Sequence, residues 1–472
     1  MPEDPGASEP AGAARDWLDR IPAVAVGAAL VGAALLVYWF TGYDRIYNHF
    51  VLQAIAFLKG RADIPTPAYQ DVLPILGPDG QPTGRGLLPF PPLPAVVLMP
   101  FVALWGIATD ERQVSAVLGA VDVGLAWWLL GRLAGISRRI RIVTTIFFAF
   151  GTVFFYAAQL GTTWFFAHVV AVTFVLLAVG VALGADPDAD EEVEAAPPLG
   201  GLLGDVTAAV RHPRELLDGR QVVAGLLFGV ACTARLTIVF GAPFFMFVGG
   251  GGSWVRRSVS AGVGAAIPVA LLLLYNLATT GHLMHPGYDY LYSLEAPGYP
   301  GLHYHPTWSI EDLRYIPQNL QIMFLSAPVF SPSSIPSSVG TGARLCTEPG
   351  AVRGLFDLAC PIALPRDVGM SFLLTSPAYF LAVPAIIAGR SRLVAGAFLA
   401  FLAIAFVNLM HFSQGWVQFG YRFSNDFVVF ALVLVALGMA RRGRVGLLGL
   451  WLVGLSVAIN VWGVIWGNLL GW

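Results

Sequence analysis

The segment Leu87-Leu88-Pro89-Phe90-Pro91-Pro92-Leu93-Pro94 and the apolar run 95–106 that follows it decide the topology of the chain. The prolines exclude helix before about Pro94, because proline lacks a backbone N–H and its ring clashes with the preceding turn. The helix that follows therefore has roughly 13 residues and a length of about 19 Å. A bilayer core about 30 Å thick requires about 20 helical residues. We therefore predict that 94–106 dips into one leaflet of a membrane without crossing it.

The composition is that of a polytopic membrane protein. The chain has 472 residues, of which 56% are hydrophobic and 12% charged, and its mean hydropathy is +0.70. Several uncharged runs exceed the roughly 18 residues that indicate a transmembrane helix. The formal net charge of −2 argues against a nucleic-acid partner. Residues 1–20 lack a basic n-region, so we expect 21–40 to be an uncleaved anchor.

Arginine clusters orient the apolar segments. The predicted spans lie near 21–40, 113–131, 142–158, 164–183, 258–279, 371–389, 393–410, 423–440 and 445–467. The clusters are Arg132/Arg138/Arg139/Arg141, Arg211/Arg214/Arg220, Arg256/Arg257, Arg390/Arg392 and Arg441/Arg442/Arg444. The positive-inside rule places every cluster in the cytoplasm, which requires that 94–106 does not cross.

The segment 221–250 has basic residues on both flanks, so the same rule predicts an even number of crossings. Two crossings share about 30 residues, or roughly 21–23 Å each, which is short for a bilayer. We predict a hairpin of two short helices with its apex near Thr233-Ala234-Arg235. One long tilted helix, with one arginine pair outside, is the alternative.

We therefore predict an all-α polytopic membrane protein with a single transmembrane domain over 1–472 and about 11 crossings. The expected site is the bacterial cytoplasmic (inner) membrane, with the amino terminus inside and the carboxyl terminus outside. Short juxtamembrane helices are expected in the first outer loop, 41–112, and in the second outer loop, 280–370. An acidic linker, 185–220, is expected in the cytoplasm.

The first outer loop begins with a candidate amphipathic helix, 44–58. Its apolar side points to the membrane, and we expect its polar side to face water or a cavity. The polar side comprises Asp44, Arg45, Asn48, His49 and Gln53. Asp44 at the start of such a helix can also act simply as a cap for the exposed backbone N–H groups.

The second outer loop is rich in aromatic and histidine side chains: His282, His285, Tyr288, Asp289, Tyr290, Tyr292, Tyr299, His303, Tyr304, His305 and Trp308. Such rings either stack on sugars or anchor a loop at the membrane interface. The histidines with Asp289 leave a divalent cation as an open alternative, although no standard metal-binding motif is present. Farther along, 311–325 is predicted to form an interfacial helix.

Two cysteines of the same loop, Cys346 and Cys360, lie 14 positions apart. Outside the cytoplasm a disulfide between them is plausible, and two buried free thiols are the alternative.

Ionisable residues within spans indicate function or internal pairing. Asp122 and Arg235 lie within predicted membrane segments, and Arg422 and Asp426 lie one helical turn apart at the outer end of 423–440. A guanidinium at that position can bind a phosphate with two hydrogen bonds and stays charged.

Weak motifs in order along the chain point to one superfamily. They are 44–60, Pro91-Pro92, Gly225-x-x-x-Gly229 with Thr233-Ala234-Arg235, Tyr275-Asn276 with Gly281 and Gly287-Tyr288, Tyr315-Ile316-Pro317-Gln318-Asn319-Leu320, and Phe419-Gly420-Tyr421-Arg422-Phe423. On these residues the chain resembles the GT-C superfamily of polyprenyl-phosphate-sugar-dependent glycosyltransferases. The resemblance is greatest to the protein-mannosyltransferase-like and aminoarabinose-transferase-like branch.

This resemblance implies an inverting sugar transfer outside the cytoplasm, with a carboxylate after the first span as general base. It assigns Asp44 as the base, with Asn48 and His49 orienting the base or the acceptor. Arg422, and secondarily Arg235, then bind the donor phosphate. The sugar or acceptor is assigned to His285, Tyr288, Asp289 and Tyr290.

The sequence departs from the superfamily in one respect. There the acid commonly lies nearer the position of Asn48-His49, often as an Asp-Glu pair, whereas Asp44 stands alone and slightly early. If Asp44 is not the base, Asp63 or Asp71 is the next candidate.

The implied partners are a polyprenyl-phosphate sugar, a glycan, lipid or protein acceptor, and the bilayer. Two other functions stay open at the level of sequence. A lipid or solute transporter is favoured if Asp122 and Arg235 line a continuous path. A catalytically silent relative would bind a polyprenyl lipid without turning it over.

Overall fold

The computed structural model describes residues 20–43, 47–67, 71–191, 216–295, 307–337, 342–389, 391–415, 417–441 and 445–472, together with 204, 206 and 207. Several residues singled out above lie outside the described residues: Asp44, Arg45, Tyr299, His303, Tyr304, His305, Arg211, Arg214, Arg390, Arg442 and Arg444.

Most of the described chain is α-helical. The helices are α1 (Ala23–Thr41), α2 (His49–Leu58), α3 (Leu93–Trp105), α4 (Glu111–Leu130), α5 (Arg138–Phe150), α6 (Phe154–Leu160), α7 (Thr163–Ala185), α8 (Gly219–Cys232), α9 (Pro243–Phe247), α10 (Trp254–Thr280), α11 (Gly287–Glu295), α12 (Ile316–Leu320), α13 (Phe372–Thr375), α14 (Val383–Ala388), α15 (Arg392–Met410), α16 (Val428–Ala440) and α17 (Leu447–Leu469). Short 3-10 or π segments cover Gly106–Ala108, Leu236–Gly241, Leu313–Tyr315, Gln321–Leu325, Pro377–Ala382 and Arg422–Asp426.

The lengths of these helices make the chain a multi-pass membrane protein. Among the described residues, six helices are long and apolar enough to cross a bilayer, namely α1, α4, α7, α10, α15 and α17. The pair α5–α6, bent by 53°, makes a seventh if it counts as one span. The predicted span 371–389 consists of short pieces, because Pro377 begins a new 3-10 segment after α13. The count of 11 crossings therefore stays a prediction.

The helix α3 begins at the end of the proline segment, with Pro94 in its first turn. It has 13 residues, Leu93–Trp105, as the sequence predicts. The amide of Leu93 donates to the carbonyl of Thr233 at 3.1 Å. After the helix, the Arg112 side chain donates to the carbonyl of Trp39, at the end of α1, at 3.3 Å. The chain thus returns to the end of α1 from which it left, in agreement with a helix that does not cross.

The segment 221–250 is a hairpin. The helix α8 ends at Cys232, and a 3-10 segment with α9 leads back. The Gln221 side chain, at the start of α8, donates to the carbonyls of Phe245 at 2.9 Å and Val248 at 3.2 Å. The two ends of the segment are therefore neighbours, and the alternative of one long tilted helix is wrong.

The glycines Gly225 and Gly229 let α8 pack tightly against α10. A Cβ atom at Gly225 would lie 2.0 Å from the carbonyl oxygen of Ala261. At Gly229 it would lie 2.6 Å from the carbonyl oxygen of Ala265. Any larger side chain at either position would separate the two backbones.

The helix α2 corrects a prediction. It begins at His49, whereas helix was expected from residue 44, and Asn48 makes no side-chain cap. Its polar side faces the protein instead of water or a cavity. His49 Nδ1 lies 3.0 Å from Thr163 Oγ1, and Gln53 donates to the Tyr275 hydroxyl at 3.3 Å. These polar groups are buried because α7 and α10 supply hydroxyl partners for them.

Two small sheets lie in the outer loops. In the first outer loop, β1 (Asp63–Pro65), β2 (Leu73–Leu76) and β3 (Pro82–Leu87) form an antiparallel sheet in the order β1-β3-β2. In the second, β4 (Val329–Phe330) pairs with β5 (Ala363–Leu364). The predicted helix over 311–325 begins at Leu313 and changes from 3-10 to α to π geometry.

The centre of the bundle is α16. Every residue from Val428 to Met439 is buried, as expected for a helix that is apolar on all sides. By contrast, α1 and α17 keep many apolar side chains exposed, including Phe40 and Trp451. Such surfaces are suited to contact with lipid.

The second outer loop is closed by a disulfide between Cys346 and Cys360, the pairing that the sequence predicts. Cysteine-to-serine replacement of both residues should destabilise this loop by about 3 kcal/mol, because a cross-link over roughly 15 residues limits the unfolded chain. Mass spectrometry of protein from native membranes, without reduction, should show the linked peptide pair. Two free thiols in that experiment would contradict the pairing.

Candidate functional site

A cavity of about 380 Å³ lies where the outer loops meet the helix ends. Five of the nine residues that the sequence assigns to the site line it, namely Arg235, Arg422, His285, Tyr288 and Asp289. It also contains Asn276 of the Tyr275-Asn276 motif, and polar residues that the sequence did not single out: Thr163, Trp164, Thr237, Glu311, Asn408 and His411. Tyr290, Asn48 and His49 are not among the residues that line it.

Arg235 is held at the apex of the hairpin by a buried carboxylate. The side chain of Asp426 is completely buried. Arg235 Nε donates to Asp426 Oδ1 at 3.2 Å, and Nη2 donates to Oδ2 at 2.9 Å. This side-on pair fixes the plane of the guanidinium group. The sequence placed Asp426 near Arg422, whereas its partner is 191 positions away.

Two further groups complete the surroundings of Asp426. The Thr237 hydroxyl donates to Oδ2 at 2.7 Å, and His168 Nδ1 lies 2.9 Å from Oδ1. Because the carboxylate accepts hydrogen bonds, His168 Nδ1 carries a proton. Asp426 therefore joins α7, the hairpin apex and the segment before α16. We call these four side chains, Arg235, Thr237, His168 and Asp426, the Asp426 cluster.

Arg422 shares an aromatic neighbour with Arg235. The guanidinium carbon of each arginine lies 5.2 Å from the ring centroid of Phe423. Arg422 also lies 5.7 Å from the ring of Phe165. Both arginines line the cavity. Two guanidinium groups beside one ring, in a partly buried site, provide donors and positive charge for an anion.

The turn before α11 and the first turn of that helix supply another part of the cavity wall. His285 is 8% exposed, and its Nδ1 accepts a hydrogen bond from the amide of Gly287 at 3.0 Å. Burial lowers the pKa of His285 to about 4, so the ring is neutral near pH 7. Burial also raises the pKa of Tyr288 to about 12, although the nearby Arg235 opposes this shift. Asp289 is exposed at the mouth of the cavity.

Glu311 and His411 form a pair that sequence reasoning missed. Glu311 Oε1 lies 3.1 Å from His411 Nδ1, and the two backbones form an antiparallel bridge. The pair attaches the second outer loop to the end of α15. The two residues are 100 positions apart, and neither lies in a motif, so no local signal could have found them.

The acids of the first outer loop are in different surroundings. Asp63 binds Arg61 at 2.6 Å and also binds Arg85, and these contacts keep the pKa of its carboxyl well below the usual range. Asp63 does not line the cavity. Asp71 is buried and accepts a hydrogen bond from Trp164 Nε1 at 2.9 Å. Since Trp164 lines the cavity, Asp71 adjoins the site and Asp63 does not.

Asp44, the predicted base, lies outside the described residues. Tyr47, three positions farther along the chain, lies beside the cavity. Its ring centroid is 5.0 Å from that of Trp164, which lines the cavity. His49 is buried behind the wall and contacts Thr163, which lines the cavity.

An apolar groove of about 650 Å³ lies beside the cavity. The helices α2 and α3 form one side of it, and α8 and α10 form the other. Leu272 lines both spaces, and Pro92 and Thr233 of the groove directly adjoin Pro91 and Ala234 of the cavity. Leu271, on the groove wall, is 63% exposed. The groove thus lies beside the polar cavity and opens to the apolar outside of the bundle.

No group of three or more histidine, cysteine, aspartate or glutamate side chains suited to a metal ion occurs in the described part of the chain. Asp122 is completely buried in α4 and does not line the cavity. No path from Asp122 to Arg235 is therefore formed by this cavity.

Comparison with known proteins gives structural matches. No protein-family model matches the sequence, and no curated protein matches it. ArnT from Cupriavidus metallidurans in the apo state is 14% identical over 89% of this chain, with a TM-score of 0.44. The same protein bound to undecaprenyl phosphate is 13% identical, with a TM-score of 0.43.

The archaeal oligosaccharyltransferase AglB from Archaeoglobus fulgidus, in complex with an inhibitory peptide and a dolichol-phosphate, is 10% identical over 96% of this chain, with a TM-score of 0.45. This chain covers 60% of ArnT and 56% of AglB. Both proteins are GT-C superfamily members. With TM-scores below 0.5 and identities of 10–14%, these matches carry no argument about this chain.

The Asp426 cluster predicts an order of stabilities. Asp426→Asn should destabilise the protein by about 3 kcal/mol or more, because it breaks a buried ion pair. Thr237→Val should cost about 1 kcal/mol through one lost hydrogen bond, while Thr237→Ser keeps the hydroxyl group. Melting temperatures in detergent should therefore rank Asp426→Asn lowest, Thr237→Val next and Thr237→Ser nearest to the unmodified protein. Equal melting temperatures for Asp426→Asn and the unmodified protein would contradict this account.

Proposed function

We propose that this chain is a membrane glycosyltransferase that moves a sugar from a polyprenyl-phosphate donor to an acceptor on the outer side of the membrane. One observation carries the proposal: a cavity lined by Arg235 and Arg422 adjoins an apolar groove that reaches the outside of the bundle. A lipid phosphate requires this combination. Its charged head needs guanidinium donors, and its isoprenoid chain needs apolar surface.

The arginines suit the leaving group of the reaction. When the bond between the sugar C1 and the phosphate oxygen breaks, its electron pair stays on that oxygen, and negative charge develops there. Positive charge fixed in advance beside the oxygen stabilises the transition state. Arg235 is fixed by Asp426, whereas Arg422 begins the 3-10 segment before α16. We assign both to the donor phosphate.

The proposed transfer inverts the configuration at C1 in a single displacement. An acceptor hydroxyl attacks C1 as the lipid phosphate departs, and its proton passes to a carboxylate base. We propose Asp44 as this base, with Asn48 and His49 in supporting roles. His49 can act on the site through its contact with Thr163, which lines the cavity. Asp71, beside Trp164, is the alternative base.

The part of the cavity wall formed just before and at the start of α11 suits the sugar and the acceptor. His285, Tyr288 and Asp289 line it, whereas Tyr290 does not, so we leave Tyr290 out of the proposed site. The acceptor is a glycan, a lipid or a protein. We propose the bacterial inner membrane as the location, with the amino terminus inside and the carboxyl terminus outside. No described contact favours transport, since Asp122 does not line the cavity.

A panel of polyprenyl-phosphate sugars tests the function. Purified protein should release polyprenyl phosphate from one member of the panel in the presence of an acceptor. Asp44→Asn should lower turnover by about 10²-fold or more with lipid binding intact, because an amide cannot accept the proton. Asp63→Asn is the matched control and should retain turnover, because Asp63 is bound by two arginines away from the cavity.

The same panel decides between the candidate bases. If Asp44→Asn stays active while Asp71→Asn loses turnover, the base is Asp71. If the unmodified protein binds no polyprenyl phosphate at all, the proposed function is wrong.

A further inference from the structure

We propose that His285 is a specificity-determining residue that recognises the transferred sugar: its Nε2–H donates a hydrogen bond to a sugar oxygen of the bound donor. This inference rests on the proposed function, and it gives His285 a defined role: to distinguish the sugar-loaded donor from bare lipid phosphate.

The tautomer of His285 follows from its backbone contact. The amide of Gly287 donates to Nδ1 at 3.0 Å, so Nδ1 carries the lone pair. In the neutral ring the proton then lies on Nε2, which becomes the single N–H donor of the ring. His285 lines the cavity. Some side-chain atoms of the described residues are buried without a hydrogen-bond partner, and Nε2 of His285 is not one of them.

The turn that carries His285 is held in place from two sides. The Asn276 side chain donates to the carbonyl of Leu283 at 2.9 Å, which joins the turn to the end of α10. At Gly287 a Cβ atom would lie 2.8 Å from His285 Nδ1 and 2.8 Å from Pro89 Cβ. The turn therefore fits between the imidazole and the proline segment only with glycine at this position. A donor fixed in this way loses little freedom when it binds a ligand.

Two kinds of hydrogen-bond donor line the cavity. The guanidinium groups of Arg235 and Arg422 lie together beside Phe423, where they suit a charged phosphate. His285 comes from a different element, the turn before α11, and its ring is neutral. A neutral N–H donor suits a neutral hydroxyl or ring oxygen. A site that offers such a donor favours the ligand that supplies its acceptor over the ligand that lacks it.

Two substitutions separate the two ring nitrogens. Glutamine places its amide nitrogen near the position of Nε2, so His285→Gln should keep the donor to the sugar. Asparagine places its amide oxygen near the position of Nδ1, so His285→Asn should keep the contact with Gly287 and lose the donor. Binding of polyprenyl-phosphate hexoses, polyprenyl-phosphate pentoses and bare polyprenyl phosphate is measured for the unmodified protein and both variants, with melting temperatures as a check on folding.

We expect His285→Asn to bind the sugar-loaded lipid about five- to tenfold more weakly and bare polyprenyl phosphate with unchanged affinity. His285→Gln should bind both nearly as well as the unmodified protein does. An equal loss for both lipids, or no loss in His285→Asn, would overturn the role of His285 while the proposed function stands. If neither lipid binds to the unmodified protein, both proposals are wrong.

Discussion

The buried carboxylate of Asp426 is the constraint on which the rest of the site depends. A carboxylate in the interior of a membrane protein is costly unless charge and hydrogen bonds compensate it. Here the compensation comes from Arg235 and Thr237 at the hairpin apex and from His168 on α7. These bonds require the apex of the hairpin to lie beside α7 and the segment before α16. They thereby place an arginine on the wall of the cavity.

The proline segment 89–94 sets the other limit of the site. It prevents helix until Leu93, and so delivers a helix too short to cross a bilayer. That helix packs beside the hairpin, with the amide of Leu93 bonded to Thr233. The space left between α3 and α10 is the apolar groove, and its inner end adjoins the cavity. Two features that are distant in sequence thus place an apolar groove beside a cavity lined by a pair of arginines.

The sequence predicts those parts of the fold that depend on local chemistry. Prolines limit the start of α3, basic flanks require the hairpin, and the spacing of Cys346 and Cys360 permits their pairing. It fails where partners come from distant elements. The Arg235–Asp426 and Glu311–His411 pairs join residues 191 and 100 positions apart, which no periodicity encodes. The polar side of α2 is predicted to face water or a cavity. It is buried instead, because its partners Thr163 and Tyr275 lie on other helices and give no signal in the sequence of α2.

The central claim is that the two arginines and the groove together form the site for a lipid phosphate. The most direct measurement is a cryo-electron microscopy map of the protein with polyprenyl phosphate. Our account predicts phosphate oxygens within about 2.7–2.9 Å of guanidinium nitrogens of Arg235 and Arg422, with the first isoprene units between α3 and α10. A lipid phosphate bound elsewhere, with the cavity and the groove both empty, would contradict it.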